Sequence, residues 1–247
     1  MNVRPWWLGP LLVLAACSGE ADRTELNVLA ASSLTEAFDA LEPTYEGEHP
    51  DIDVVLSYDS SASLAGQVIE GAPADVLATA DLQTMATVVE AGLVDGEPQP
   101  FASNTLVLVT PPGNPADVRE LADLGADDVL FAVCAPTAPC GDAALRLLEL
   151  ADVAAEAVTE EDNVKGVLTK VVAGEVDAGL VYASDAQAAG DDVTVVPVEG
   201  SAEVVNVDPI AVLSESEQPE EARAWVDLVL SEQGAAVLDD LGFGPVP

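Results

Sequence analysis

Basic residues are scarce in this chain: 7 Lys and Arg stand against 45 Asp and Glu in 247 residues, a formal net charge of -38. Binding a polyphosphate backbone needs a basic face, and seven cations cannot build one, so nucleic acid is excluded as a partner. Histidine is nearly missing. The single His49, in Glu48-His49-Pro50-Asp51, rules out a multi-histidine metal site and leaves only one imidazole for a Ser-His-Asp enzyme. The cysteines lack the C-x-x-C spacing of a redox motif, since five residues, including Pro136 and Pro139, separate Cys134 from Cys140. No base stands beside a nucleophile, so no catalytic residue is assigned. Disorder is excluded by the 49% apolar content, which is enough to build a core despite the charge.

The N-terminus reads as a targeting segment. Arg4 supplies a positive start, Trp6 to Ala15 an apolar run too short to span a bilayer, and Leu14-Ala15-Ala16-Cys17 the close. Small residues before a cysteine resemble a bacterial lipobox, which implies removal of residues 1–16 and lipid attachment to Cys17. Residues 17–25 are polar and aperiodic, a tether. An exported protein meets oxidising conditions, and Cys134 and Cys140 are then a disulfide candidate. Acidic doublets such as Asp127-Asp128 and Asp191-Asp192 fit no spaced calcium loop and read as solvated surface.

From Leu26 the pattern alternates between strand and helix. Leu26–Ala31, Ile52–Ser57 and Asp75–Ala80 read as strands. Leu34, Ala37, Phe38 and Leu41 follow the helical i, i+3, i+4, i+7 template, with Pro43 expected to end or kink that helix. Further strands are expected at Leu106–Thr110, Val129–Val133, Ala178–Tyr182, Val193–Val198 and Val207–Leu213, with helices around Leu64, Met85, Leu147, Val167 and Val226. The alternation argues for an α/β fold with parallel-type sheets flanked by helices.

Four segments place small or hydroxyl residues where a helix starts: Ala30 to Thr35, Ser57 to Leu64, Pro139 to Gly141, and Glu161 to Gly166. A helix N-terminus carries unpaired N–H groups and about half a positive charge, so four converging would offset about two negative charges without Lys or Arg. Each has a plainer explanation. Ser33 opens a capping-box pattern, Ser60 or Ser61 can cap the next helix, and Asp162 or Asn163 the last. Tyr182 can simply seal the core. Periodicity does not show whether the four segments meet.

Leu26-Asn27-Val28-Leu29-Ala30-Ala31-Ser32-Ser33-Leu34-Thr35 resembles the opening of the periplasmic molybdate-binding proteins of ABC transporters. Gly71-Ala72-Pro73-Ala74-Asp75-Val76 with Ala80-Asp81, Asn104 to Val109, Glu161 to Gly166, and Gly179 to Asp185 continue the likeness in order. The resemblance implies a two-lobed, type II-like periplasmic-binding-protein fold with a ligand cleft between the lobes. Lobe 1 would span 26–104 plus 207–247 and lobe 2 would span 105–206. It implies a site made of Ser33 and Ser61 through hydroxyl and backbone, the backbone N–H of Cys140 and of Val164, and the Tyr182 hydroxyl. The family commonly has Ala where Cys140 stands. It further implies no cofactor and no cation, with molybdenum bound as the oxyanion. The expected protein is extracytoplasmic, monomeric and lipid-anchored, handing molybdate and also tungstate to an ABC permease. The alternatives are a sulfate or other oxyanion binder and, in another class, a redox or calcium-dependent surface protein.

Overall fold

The computed structural model describes residues 23–247; the targeting segment and Cys17 lie outside them. Nine strands and eight α-helices make up the described chain: β1 (Thr24–Ala31), α1 (Thr35–Glu48), β2 (Ile52–Asp59), α2 (Ser61–Ile69), β3 (Val76–Ala78), α3 (Leu82–Glu90), β4 (Gln99–Thr110), β5 (Phe131–Cys134), α4 (Pro139–Leu150), β6 (Thr159–Glu161), α5 (Val164–Val172), β7 (Ala178–Tyr182), α6 (Ala183–Ala189), β8 (Thr194–Val196), β9 (Val205–Val212), α7 (Pro219–Leu230) and α8 (Glu232–Asp240). None of these helices is long and apolar enough to cross a membrane.

The strands run in the order β2-β1-β3-β9-β4-β7-β5-β6, with β8 also on β4. Pairing is parallel in the two wings, β2-β1-β3 and β7-β5-β6. It is antiparallel wherever β4 or β9 takes part, so the sheet is mixed rather than purely parallel. The long strand β4 pairs with β9 through Thr105 and with β7 from Leu106 onward. One strand thereby serves both wings of a two-lobed α/β molecule.

Helices cover both wings because the strands are buried on both faces, as parallel strands require. Val28, Ala30, Val76 and Leu77 of one wing and Ala132, Ala178, Leu180 and Val181 of the other have no exposed surface. Phe38 and Tyr45 of α1 meet the indole of Trp225 on α7 edge-on, at 5.5 and 5.4 Å between centroids. This cluster corrects one expectation. Pro43 neither ends nor visibly interrupts α1, which runs on to Glu48. Pro43 lies on the exposed side, where its missing N–H costs one helical bond. The next turn carries Tyr45, buried against Trp225 and donating its hydroxyl to Glu221 O at 2.8 Å, and that packing holds the helix past the proline.

Two short elements, β6 and α6, have no counterpart in the sequence pattern. β6 reads Thr-Glu-Glu and is half exposed, so it offers no apolar alternation to detect. It is held as an edge strand by backbone pairing to β5.

Candidate functional site

The parallel pairings bring the helix starts together. In one wing Ala31 lies level with Asp59, so the turns that open α1 and α2 are neighbours. In the other Cys134 lies level with Glu161, and Ala135 N–H donates to Glu161 O at 2.8 Å, which sets the starts of α4 and α5 side by side. The C-terminal edges of parallel strands face a shared crevice, the usual ligand position in open α/β sheets. There Ser33, Ser61, Cys140, Val164 and Tyr182 line one small cavity, together with Ala31, Ser32, Asp59, Ser60, Ala80, Ala138, Pro139 and Asn163. The cavity measures about 10 Å³, room for about one water.

The capping alternatives resolve residue by residue. Ser60, not Ser61, caps α2 by accepting from Ser63 N–H at 3.2 Å. Asn163, not Asp162, caps α5 by accepting from Gly166 N–H at 3.1 Å. Ser33 caps nothing: it sits in a 3-10 turn ahead of α1 with no side-chain cap bond at that start. The capping-box pattern therefore misleads, because the inserted turn moves the first residue of α1 to Thr35. Ser61 accepts from Ala80 N–H at 2.9 Å, and Tyr182 accepts from the Asn206 amide at 3.0 Å.

Cys134 and Cys140 are joined by a disulfide across 5.7 Å between Cα atoms. Both are buried, so the bond fastens the start of α4 to the end of β5. Gly141 allows this approach: a Cβ there would lie 1.9 Å from Ala135 O. Pro139 at the first helical position fits a place where no intrahelical N–H is needed.

No Lys, Arg or His lines the cavity. Lys165 follows Val164, but its ammonium is 2.7 Å from Glu36 and 2.9 Å from Asp185. Burial pushes the Asp185 carboxyl up to about 6, with Lys165 drawing it partly back. Asp59 is the one charged residue in the wall. Its oxygens accept from Ser60 N–H at 2.7 Å, Ser63 Oγ at 2.8 Å and Asn163 Nδ2 at 3.4 Å, so they are occupied by donors of the α2 and α5 starts. Burial, reinforced by Asp208, raises the Tyr182 phenol well above its ordinary range; it stays protonated and can donate. Among the described residues no cluster of three His, Cys, Asp or Glu could hold a metal ion.

Sequence reasoning missed part of this wall. Ser60 reads only as a candidate cap, Ala80 stands inside a quoted motif without a role, and Asn206, behind Tyr182, carries no local signal at all.

A two-lobed α/β scaffold with a donor-lined cavity at the strand ends defines a small-solute binding protein. Residues 26–244 match the model of bacterial extracellular solute-binding proteins, and the chain belongs to that family. It is 42% identical to the molybdate-binding protein ModA of Mycobacterium tuberculosis (strain H37Rv) over 87% of this chain and 83% of that protein. In fold it is similar to the periplasmic molybdate-binding protein of Azotobacter vinelandii, with a TM-score of 0.75, 20% identity, and 90% and 99% of the two chains covered. It is equally similar in fold to the sulfate-binding protein SubI of Mycobacterium tuberculosis H37Rv, with a TM-score of 0.79, 21% identity, and coverage of 91% and 88%. Fold alone therefore does not choose the anion.

Proposed function

We propose that this protein captures molybdate, and also tungstate, outside the cytoplasm and delivers it to an ABC permease. The observation that carries the reading is a cavity lined by hydroxyls and the starts of α2, α4 and α5, with no basic side chain. Such a wall stabilises a dianion by hydrogen bonds and helix-end dipoles. The ligand shell consists of the Ser33, Ser61 and Tyr182 hydroxyls and the backbone N–H groups of Ser33, Ser61, Cys140 and Val164. The 42% identity to a molybdate-binding protein over most of the chain supports the choice of anion.

Closure of lobe 1 (26–104 plus 207–247) on lobe 2 (105–206) buries the ion and strengthens each bond by excluding water. The partner change of β4 at Thr105–Leu106 supports the first of those boundaries. The anion is the ligand, and no cofactor or resident cation is needed. The protein acts as a monomer, by binding rather than catalysis, and Cys17 anchors it by lipid to the outer face of the cell membrane. The buried disulfide favours this over the redox alternative.

Calorimetric titration of the chain with molybdate, tungstate, sulfate and inorganic phosphate tests the reading. Tight binding of the first two and hardly any of phosphate is expected, because a protonated oxyanion sets donor against donor. Sulfate binding as tight as molybdate would replace the assignment with a sulfate binder. A membrane-fraction assay with Cys17→Ala tests the anchor, which is wrong if the unaltered protein is wholly soluble.

A further inference from the structure

Asn206 lies on β9, one strand away from the cavity wall, and is buried. Its side-chain nitrogen donates to Ala80 O at 2.9 Å and to Tyr182 Oη at 3.0 Å. A backbone carbonyl can only accept, so the contact to Ala80 fixes which end of the amide is the nitrogen. Both amide hydrogens are then used, and the Tyr182 oxygen is an acceptor on that side. Its own proton is left for a partner in the cavity. The same residue acts on the opposite wall through its other peptide unit: Ala80 N–H donates to Ser61 Oγ at 2.9 Å, which leaves the Ser61 proton free as well.

We infer that Asn206 is a positioning residue for anion selectivity: it engages the Tyr182 oxygen directly and holds Ala80, whose N–H engages Ser61, so that these two hydroxyls face the ligand as donors. The inference rests on the oxyanion reading above. A fully ionised oxyanion matches hydroxyls held this way. An oxyanion carrying a proton needs an acceptor in the wall, and a hydroxyl oxygen already engaged from behind has less acceptor capacity left to supply one. Asn206 therefore acts on the difference between molybdate and hydrogen phosphate, beyond holding a loop in place. It also ties three segments distant in sequence, the loop after β3, the end of β7, and β9, into one hydrogen-bonded chain.

Calorimetry at pH 7 on Asn206→Leu, Tyr182→Phe and the double variant, with molybdate and inorganic phosphate as probes, tests this. Asn206→Leu should weaken molybdate binding by about 3- to 10-fold, the loss of an orienting bond, and narrow the molybdate-to-phosphate affinity ratio by at least as much. In the Tyr182→Phe background the same substitution should weaken molybdate binding clearly less than it does in the wild type, since only the route through Ala80 to Ser61 remains. Losses that multiply, or an unchanged ratio, would overturn the positioning role. Thermal melts of the free proteins report folding, and Asn206→Ala, which adds no bulk, carries the same expectations if the leucine variant does not fold. Wild-type protein that takes up no tetrahedral oxyanion would instead refute the reading of the site; wild-type binding with both Asn206 variants unchanged refutes this inference alone.

Discussion

Tyr182→Phe separates a ligand hydroxyl from a core aromatic. The ring is 1% exposed and ends β7, and phenylalanine keeps that packing almost unchanged. What disappears is one oxygen, which accepts from Asn206 at 3.0 Å. In the free protein one buried amide hydrogen loses its partner. That costs about 1–3 kcal/mol, at the low end here because the cavity beside it can admit a water. A protein of this length should then lose roughly 2–4 °C in Tm per kcal/mol. If the hydroxyl donates to a buried dianion, the larger loss falls on binding. A charge-assisted bond of about 1.5–3 kcal/mol corresponds to roughly 10- to 150-fold in Kd. Burial and Asp208 hold the phenol protonated, so the ratio of wild-type to variant affinity should be flat between about pH 6 and 9. Calorimetry with molybdate across that range, paired with melts of the free proteins, reads both effects. Affinity within twofold of wild type, or a ratio that collapses as pH rises, would refute the assignment of the hydroxyl as a donor.

Ser33 and Ser60 should diverge. Ser60→Ala removes the α2 cap and should lower stability by about 0.5–2 kcal/mol with little effect on affinity, whereas Ser33→Ala, with no cap bond to lose, should chiefly weaken molybdate binding; the reverse pattern in melts and titrations would contradict the structure. Gly141→Ala places a Cβ 1.9 Å from Ala135 O, against backbone that cannot yield, and should destabilise by about 3 kcal/mol or more. Gly47→Ala, with nothing within 4 Å in α1, should stabilise by up to about 1 kcal/mol; equal denaturation midpoints for the two variants would count against the packing of α4 on β5. Asp208 is buried, both its oxygens lack a partner among the described residues, and burial, with Asp81 and Asp185 nearby, raises its pKa well above the ordinary carboxyl value. The folded chain then holds a proton that the unfolded chain releases above about pH 4, so stability falls with rising pH by up to about 1.4 kcal/mol per unit until the folded pKa is passed. Asp208→Asn should raise Tm at pH 8 and flatten the slope, and a variant less stable at pH 8 with the wild-type slope would exclude a protonated Asp208.

Local pattern determined the strands and helices that alternate from Leu26 onward, because apolar spacing and turn residues act within a few positions of each other. It also located the turns at Ser33, Ser61, Cys140 and Val164, since strand ends and helix starts carry their own residue preferences. It did not determine the course of α1 through Pro43, where a contact between Tyr45 and Trp225 outweighs a missing helical bond. Nor did it find β6, whose residues form a strand only because β5 lies beside them. The roles of the hydroxyls were open for the same reason. Ser60, Ser61 and Ser33 have equal capping chemistry, and a 3-10 turn and the Ala80 N–H decide which of them caps and which is left to face the cavity. Only the tertiary structure set Asn206 behind Tyr182 and Ala80, across 24 and 126 residues of chain. Sequence encodes the donors, but the direction in which each hydroxyl points depends on partners that no local window contains.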